Sequence, residues 1–216
     1  MAQNYKAYLN RMIQIFNDEM SNLCNFSERD SKLEIVNRQK PAGAAPFFKQ
    51  LVKTPFWASG ELRENNVLND VEEILGGTIS SELQKQAFYE EWVDDMANVA
   101  TLFCKIEKSN SIKLWVGTNR GCSRYHVDNV PRRLLVTYDG KGTEWLPDEA
   151  VNRAAYTKGE PNELILKDPS SKRFIDEWDI AVFKGGNGGL LHRTPDEALA
   201  SPSVFMRLDN INFGSD

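Results

Sequence analysis

The feature that most constrains this chain's fold is a change in hydrophobic period near Lys108. Before it, apolar residues recur every three or four positions. In SSELQKQAFYEEWVDDMANVATLFCKIE, Leu83, Ala87, Trp92, Met96 and Val99 follow a Ser80 or Ser81 cap at mostly helical spacing, which predicts the longest helix. Tyr8, Met12, Ile15, Phe16 and Met20 predict an amphipathic helix from Tyr5 to about Asn22, and PAGAAPFFKQLV a turn entering a helix at Pro46 to Lys53. LEIV at Leu33 to Val36 reads as a short strand. After Lys108 the period falls to two in IKLWV, SRYHVD, RLLVTYD, ELILK, DIAVFKG, GLLH and SVFMRLD, separated by Gly, Pro, Asn and Asp turns. With no long helices between them, these seven candidate strands predict an antiparallel sandwich or barrel of the jelly-roll kind. The fold class expected is therefore α+β: a mainly helical segment over 1–104 packed as one unit on a jelly-roll domain over 105–216.

Composition matters here for what it removes. A net charge of -5, from 26 basic and 31 acidic residues, leaves no electrostatic footprint for nucleic acid or an anionic membrane surface. Three cysteines, Cys24, Cys104 and Cys122, form no CxxC pair and no disulfide framework. Without an apolar stretch of roughly 18 residues or a signal-peptide core, the expected location is cytoplasmic and the expected partner a small-molecule or protein side-chain substrate.

The chain has only two histidines, His126 and His192. If CSRYHVD is a strand, Cys122, Arg124, His126 and Asp128 share one face while Ser123, Tyr125 and Val127 share the other. An imidazole and a carboxylate two apart can take adjacent positions on a metal. A second imidazole from a late strand, necessarily His192 after the KGGNGG turn, would complete a 2-His-1-carboxylate facial triad with open positions for ferrous iron. The same donors suit zinc. Taken alone, His-x-Asp is a weak motif, since acids are frequent in this chain and the two histidines can equally be structural.

The segment CSRYHVDNVPRRLLVTYDGKGTEWLPDEAVNR, then DIAVFKGG and LLHRTP, resembles the bacterial family catalogued as domain of unknown function 1826, with its Cys-x-x-aromatic-His-x-Asp, its Gly-Thr-Glu-Trp-Leu-Pro and its His-Arg-Ser/Thr-Pro. The resemblance covers about Gly121 to Pro195. More loosely, the chain is similar to the prolyl-hydroxylase-like oxygenases of the double-stranded β-helix and cupin superfamily, which use ferrous iron, 2-oxoglutarate and oxygen. That resemblance implies His126, Asp128 and His192 as iron ligands and Arg207 in VFMRLD as partner of the 2-oxoglutarate carboxylate, with Arg193 a competitor for that role. Alternation places Arg207 with Phe205 and Asp209, opposite Met206 and Leu208.

Glu144 is open to three readings: an additional ligand, an acceptor for a histidine N–H, or an exposed turn residue. Cys122 and Arg124 are candidates on the metal face, Cys122 more simply a small buried hydrophobe and Arg124 a partner for an acid. The glycines of GGNGG lack the ending of a P-loop and read as a turn. Three functions follow: an iron- and 2-oxoglutarate-dependent oxygenase, a non-catalytic cupin-like protein of zinc or iron homeostasis, and an interaction module without a metal.

Overall fold

A computed structural model describes residues 22–213. The helix expected from Tyr5 lies outside the described residues except at its last position. The strands are β1 (Leu33–Val36), β2 (Trp57–Arg63), β3 (Ser111–Gly117), β4 (Arg132–Asp139), β5 (Glu144–Leu146), β6 (Arg173–Phe174), β7 (Ile180–Lys184), β8 (Leu191–Arg193) and β9 (Val204–Asn210). They form a six-stranded sheet in the order β1-β7-β4-β9-β3-β2 and a three-stranded sheet in the order β6-β5-β8, antiparallel throughout. The class is α+β.

The period change is visible at Lys108. The long helix Ala87–Glu107 stops there in a left-handed residue, and the chain enters β3 three residues later. The helix is preceded by a separate turn, Ser81–Gln84, whose Ser80 cap accepts from Leu83 N–H. Trp92, Met96, Ala100 and Phe103 lie at helical spacing on its buried side, in one core with Leu114, Leu134, Val182, Met206 and Leu208 of the large sheet. Trp178 and Tyr138 meet edge-on at 5.0 Å and Phe48 stacks on Tyr138 at 6.1 Å. Burying a phenol there requires an acceptor, and Asp95 provides it while also pairing with Arg38.

Residues 1–104 contribute more than helices. β1 and β2 are the two edges of the large sheet, so this segment and the rest of the chain share a sheet as well as a core. β2 was not expected, because in WASGELR only Ala58 and Leu62 turn inward, too few to register as a strand. Val67–Gly76 is a further unanticipated helix. ELILK, expected as a strand, is instead the last part of a helical turn, Asn162–Ile165, with Ile165 its one buried residue. SRYHVD forms a single bridge rather than a strand. Among the described residues no helix is long and apolar enough to cross a membrane.

Candidate metal centre

At the edge of the small sheet, His126 and His192 of β8 form an isolated antiparallel bridge in which each backbone N–H donates to the other's carbonyl at 3.0 Å. Directly opposed residues in such a pair project their side chains to the same side. The imidazole centroids are accordingly 4.5 Å apart. Asp128, two residues on, joins them: Nε2 of His126 is 3.4 Å from Asp128 Oδ1, and Nε2 of His192 is 3.5 Å from Oδ2. One donor atom from each residue lies within 4.8 Å of the others.

Each imidazole is oriented by the same device. His126 Nδ1 lies 2.8 Å from the Arg124 carbonyl and His192 Nδ1 3.2 Å from the Leu190 carbonyl, in both cases two residues back. A carbonyl only accepts, so Nδ1 carries a proton in both rings, and the neutral form of each presents its Nε2 lone pair to the shared centre. Burial drives the pKa of His192 down to about 4, Asp128 pulling against it. Burial also opposes charge on His126, but its contact with Asp128 and its bond to Arg124 outweigh that and raise its pKa. Burial alone would push the Asp128 carboxyl up; His126, His192 and Arg133 reverse this and hold it ionised well below the usual range.

Arg133, on β4, is a residue that sequence reasoning passed over. Its Nη1 lies 2.7 Å from Asp128 Oδ2, which has no aligned hydrogen-bond donor, while Nε and Nη2 clamp Asp209 of β9 at 2.7 and 2.9 Å. The GGNGG turn backs the same loop: Gly186 N–H donates to the Asp128 carbonyl, and a Cβ at Gly185 would sit 2.1 Å from Val130 O. This close approach, rather than phosphate binding, accounts for the glycine.

Glu144 is buried and faces away from the histidines. It takes a bidentate bond from Arg193 at 3.0 Å through both oxygens and the hydroxyl of Tyr125. Tyr125 precedes His126 and Arg193 follows His192, so Glu144 ties together the two segments that carry the imidazoles. Arg193 pairs further with Asp196. Arg124 turns to the Glu160 carbonyl, and Cys122 is exposed at the rim, not a buried hydrophobe.

The donors open on a cavity of about 150 Å³ whose lining includes Arg120, Cys122, Leu135, Thr143, Phe205 and Arg207. Arg207 also lines an adjacent, more open cavity of about 360 Å³ along β2, β3 and β9. Its Nε is 3.7 Å from Asp209, and its guanidinium lies over Trp115 at 5.7 Å.

The family described as protein of unknown function (DUF1826) matches residues 17–209, and this chain belongs to it. No curated protein matches the sequence. Among solved structures, the chain is similar to a bsmA homolog from Methylobium petroleophilum (14% identity, TM-score 0.29, 61% of this chain and 53% of that one), spanning about half of that protein's length. It is also similar to the dioxygenase for auxin oxidation 1 of Arabidopsis thaliana in complex with 2-oxoglutarate (11% identity, TM-score 0.35, 95% and 81%). A third is the Fe(II)/α-ketoglutarate-dependent dioxygenase TqaL (10% identity, TM-score 0.41, 90% and 88%). These are distant likenesses.

Proposed function

We propose that this protein is a mononuclear non-haem iron oxygenase that uses 2-oxoglutarate, with His126, Asp128 and His192 as the metal ligands. The observation that carries this reading is the convergence of one imidazole nitrogen from each histidine and one carboxylate oxygen of Asp128 within 4.8 Å at a cavity. The two sheets correspond in this reading to the walls of a double-stranded β-helix, with β8 of the small sheet bringing the late histidine to the early one. The donor set fits the metal: both tautomers are fixed by backbone carbonyls, and Asp128 Oδ2 is buried without an aligned donor.

When bound, ferrous iron with 2-oxoglutarate supplies the oxygen activation on which oxidation of a substrate C–H bond depends. This chain's own part is to bind, orient and exclude water. Arg133 keeps Asp128 charged and fixed against β9. Arg207, from β9, is the residue to receive the distal carboxylate of 2-oxoglutarate, its planar fork matching a carboxylate and its position between the two cavities giving it access. Arg193 leaves the competition, since Glu144 and Asp196 already hold it. Leu135 and Phe205 form the apolar wall of the cavity, and Phe183 packs against the His192 ring at 4.8 Å. The substrate is a small molecule or a protein side chain.

Anaerobic addition of ferrous iron and then 2-oxoglutarate to the chelator-treated protein tests this. A visible charge-transfer band, absent with His126→Ala, is expected. Stoichiometric zinc that resists exchange, with no 2-oxoglutarate binding, establishes the metal-homeostasis reading instead.

A further inference from the structure

One charge in the cavity is unaccounted for. Asp128 is the sole acid lining it, against Arg120, Arg133, Arg193 and Arg207. Arg133 is taken by Asp128 and Asp209, Arg193 by Glu144 and Asp196, and Arg207 faces Asp209. Arg120 has no acid. Its Nη1 is buried without a hydrogen-bond partner, and its guanidinium lies 4.7 Å above the ring of Phe205. A ring face steadies the cation but accepts no directed N–H bond of ordinary strength, so at least one donor is left over.

Such a group is costly. A buried polar atom without a partner forfeits the hydrogen bonds it made to water, at greater cost when charged, and burial is enough here to pull the Arg120 pKa down to about 10. A chain keeps such a side chain rigid only where the fold holds it. Thr118 N–H on one side donates to Phe56 O, and Cys122 O on the other accepts from Thr194 N–H, each at 2.9 Å. Arg120 is thus pinned between two fixed points, its open donor buried in the wall of the cavity that His126, Asp128 and His192 line.

We propose that Arg120 is an anchor for a carboxylate of the primary substrate, so that the substrate class is a carboxylic acid bound with its acid group on Arg120. The proposal rests on the oxygenase reading for one point, that 2-oxoglutarate occupies Arg207 and leaves Arg120 to the substrate.

The test uses the full chain loaded with nickel, which binds without turnover, and saturated with 2-oxoglutarate. Small monocarboxylic acids and their matched primary amides are titrated calorimetrically. The parent should bind the best acids at least tenfold more tightly than their amides. Arg120→Gln should bring that ratio to within twofold while 2-oxoglutarate affinity stays within twofold of the parent. Should Arg120→Gln not fold, Arg120→Lys, which keeps the charge but loses the fork, should reduce the ratio severalfold. No acid preference in the parent, or one that survives Arg120→Gln, overturns the proposal; so does a tenfold loss of 2-oxoglutarate affinity in the variant, which makes Arg120 the co-substrate's anchor. If 2-oxoglutarate does not bind the nickel protein at all, the oxygenase reading fails. An Arg120-dependent acid preference in the nickel-only protein then still sustains the anchor.

Discussion

Strands β4 and β9 present two different chemistries on their two faces. Toward the helices they offer Leu134, Val136, Tyr138, Val204, Met206 and Leu208, every one buried in the main core. Toward the small sheet the alternate residues are Arg133, Leu135, Thr137, Phe205, Arg207 and Asp209. One pleat therefore separates a face that stabilises from a face that lines the candidate site. Apolar burial contributes about 25 cal/mol per Å² on the first, whereas the ion pairs of the second recover little beyond the cost of desolvating their charges. The same strands can serve both ends because successive side chains never share a side.

The difference between the faces gives a ranked set of expected outcomes. The largest belongs to the helix side: Trp92→Ala opens a cavity in the aromatic cluster and should cost about 3–5 kcal/mol in chemical denaturation. Metal affinity should be unchanged in whatever fraction remains folded. On the site side, His192→Gln should lower metal affinity by at least about a hundredfold, more than losing an outer partner usually does. The metal-free melting temperature should shift by no more than a few degrees, which calorimetry with and without metal can check. A collapse of the metal-free protein would place His192 on the stabilising side.

Glu144→Gln blurs the division deliberately, since Glu144 joins the backbones that carry the two imidazoles. Arg193 keeps Asp196, so the expected cost is about 2 kcal/mol, below the 3–5 usual for a broken buried pair, with a fall of roughly tenfold in metal affinity. Smallest is an effect remote from both faces. Asp70, bound by Arg63 and Asn66, has its pKa lowered from 3.8 to about 2, chiefly by Arg63. A depressed carboxyl contributes stability that is fully present above its unfolded pKa and is lost as pH falls through the folded one. Its share, about 1 kcal/mol given the exposure of Arg63, should disappear between pH 4 and 2 in the parent and be absent from Asp70→Asn.

How far the chain could be read in advance follows the same division. β3, β4, β7 and β9 were legible because each alternates over at least five residues with one wholly apolar side or is apolar throughout. β2 was not, since Gly60 lies at its middle, against Ile74, where a side chain would have carried the pattern. ELILK misled because three apolar residues in a row, Leu164, Ile165 and Leu166, suit a strand and a one-turn helix equally, and the bridge from Val151 to Leu166 decided only in three dimensions. His126, Asp128 and His192 could be singled out because the chain has only two histidines, but residue type alone suited structural histidines equally, and it was the family resemblance that favoured their grouping as ligands. Arg120 and Arg133 were not, because an arginine in a loop or at a strand end reads as solvated until its neighbours are known.

The reciprocal backbone pair between His126 and His192 carries a consequence in time as well as in space. The two residues stand 66 positions apart, and the bridge that aligns them forms only when β8 docks. A nascent chain that has emerged as far as residue 190 holds one histidine and no centre, whatever metal surrounds it. If these residues hold a metal as proposed, its capture is therefore a late event in biosynthesis. An ion held by both histidines of the folded chain, and not by the unfolded one, would stabilise it by mass action. Loading should act as a latch on a completed molecule, slowing its opening far more than it speeds its assembly.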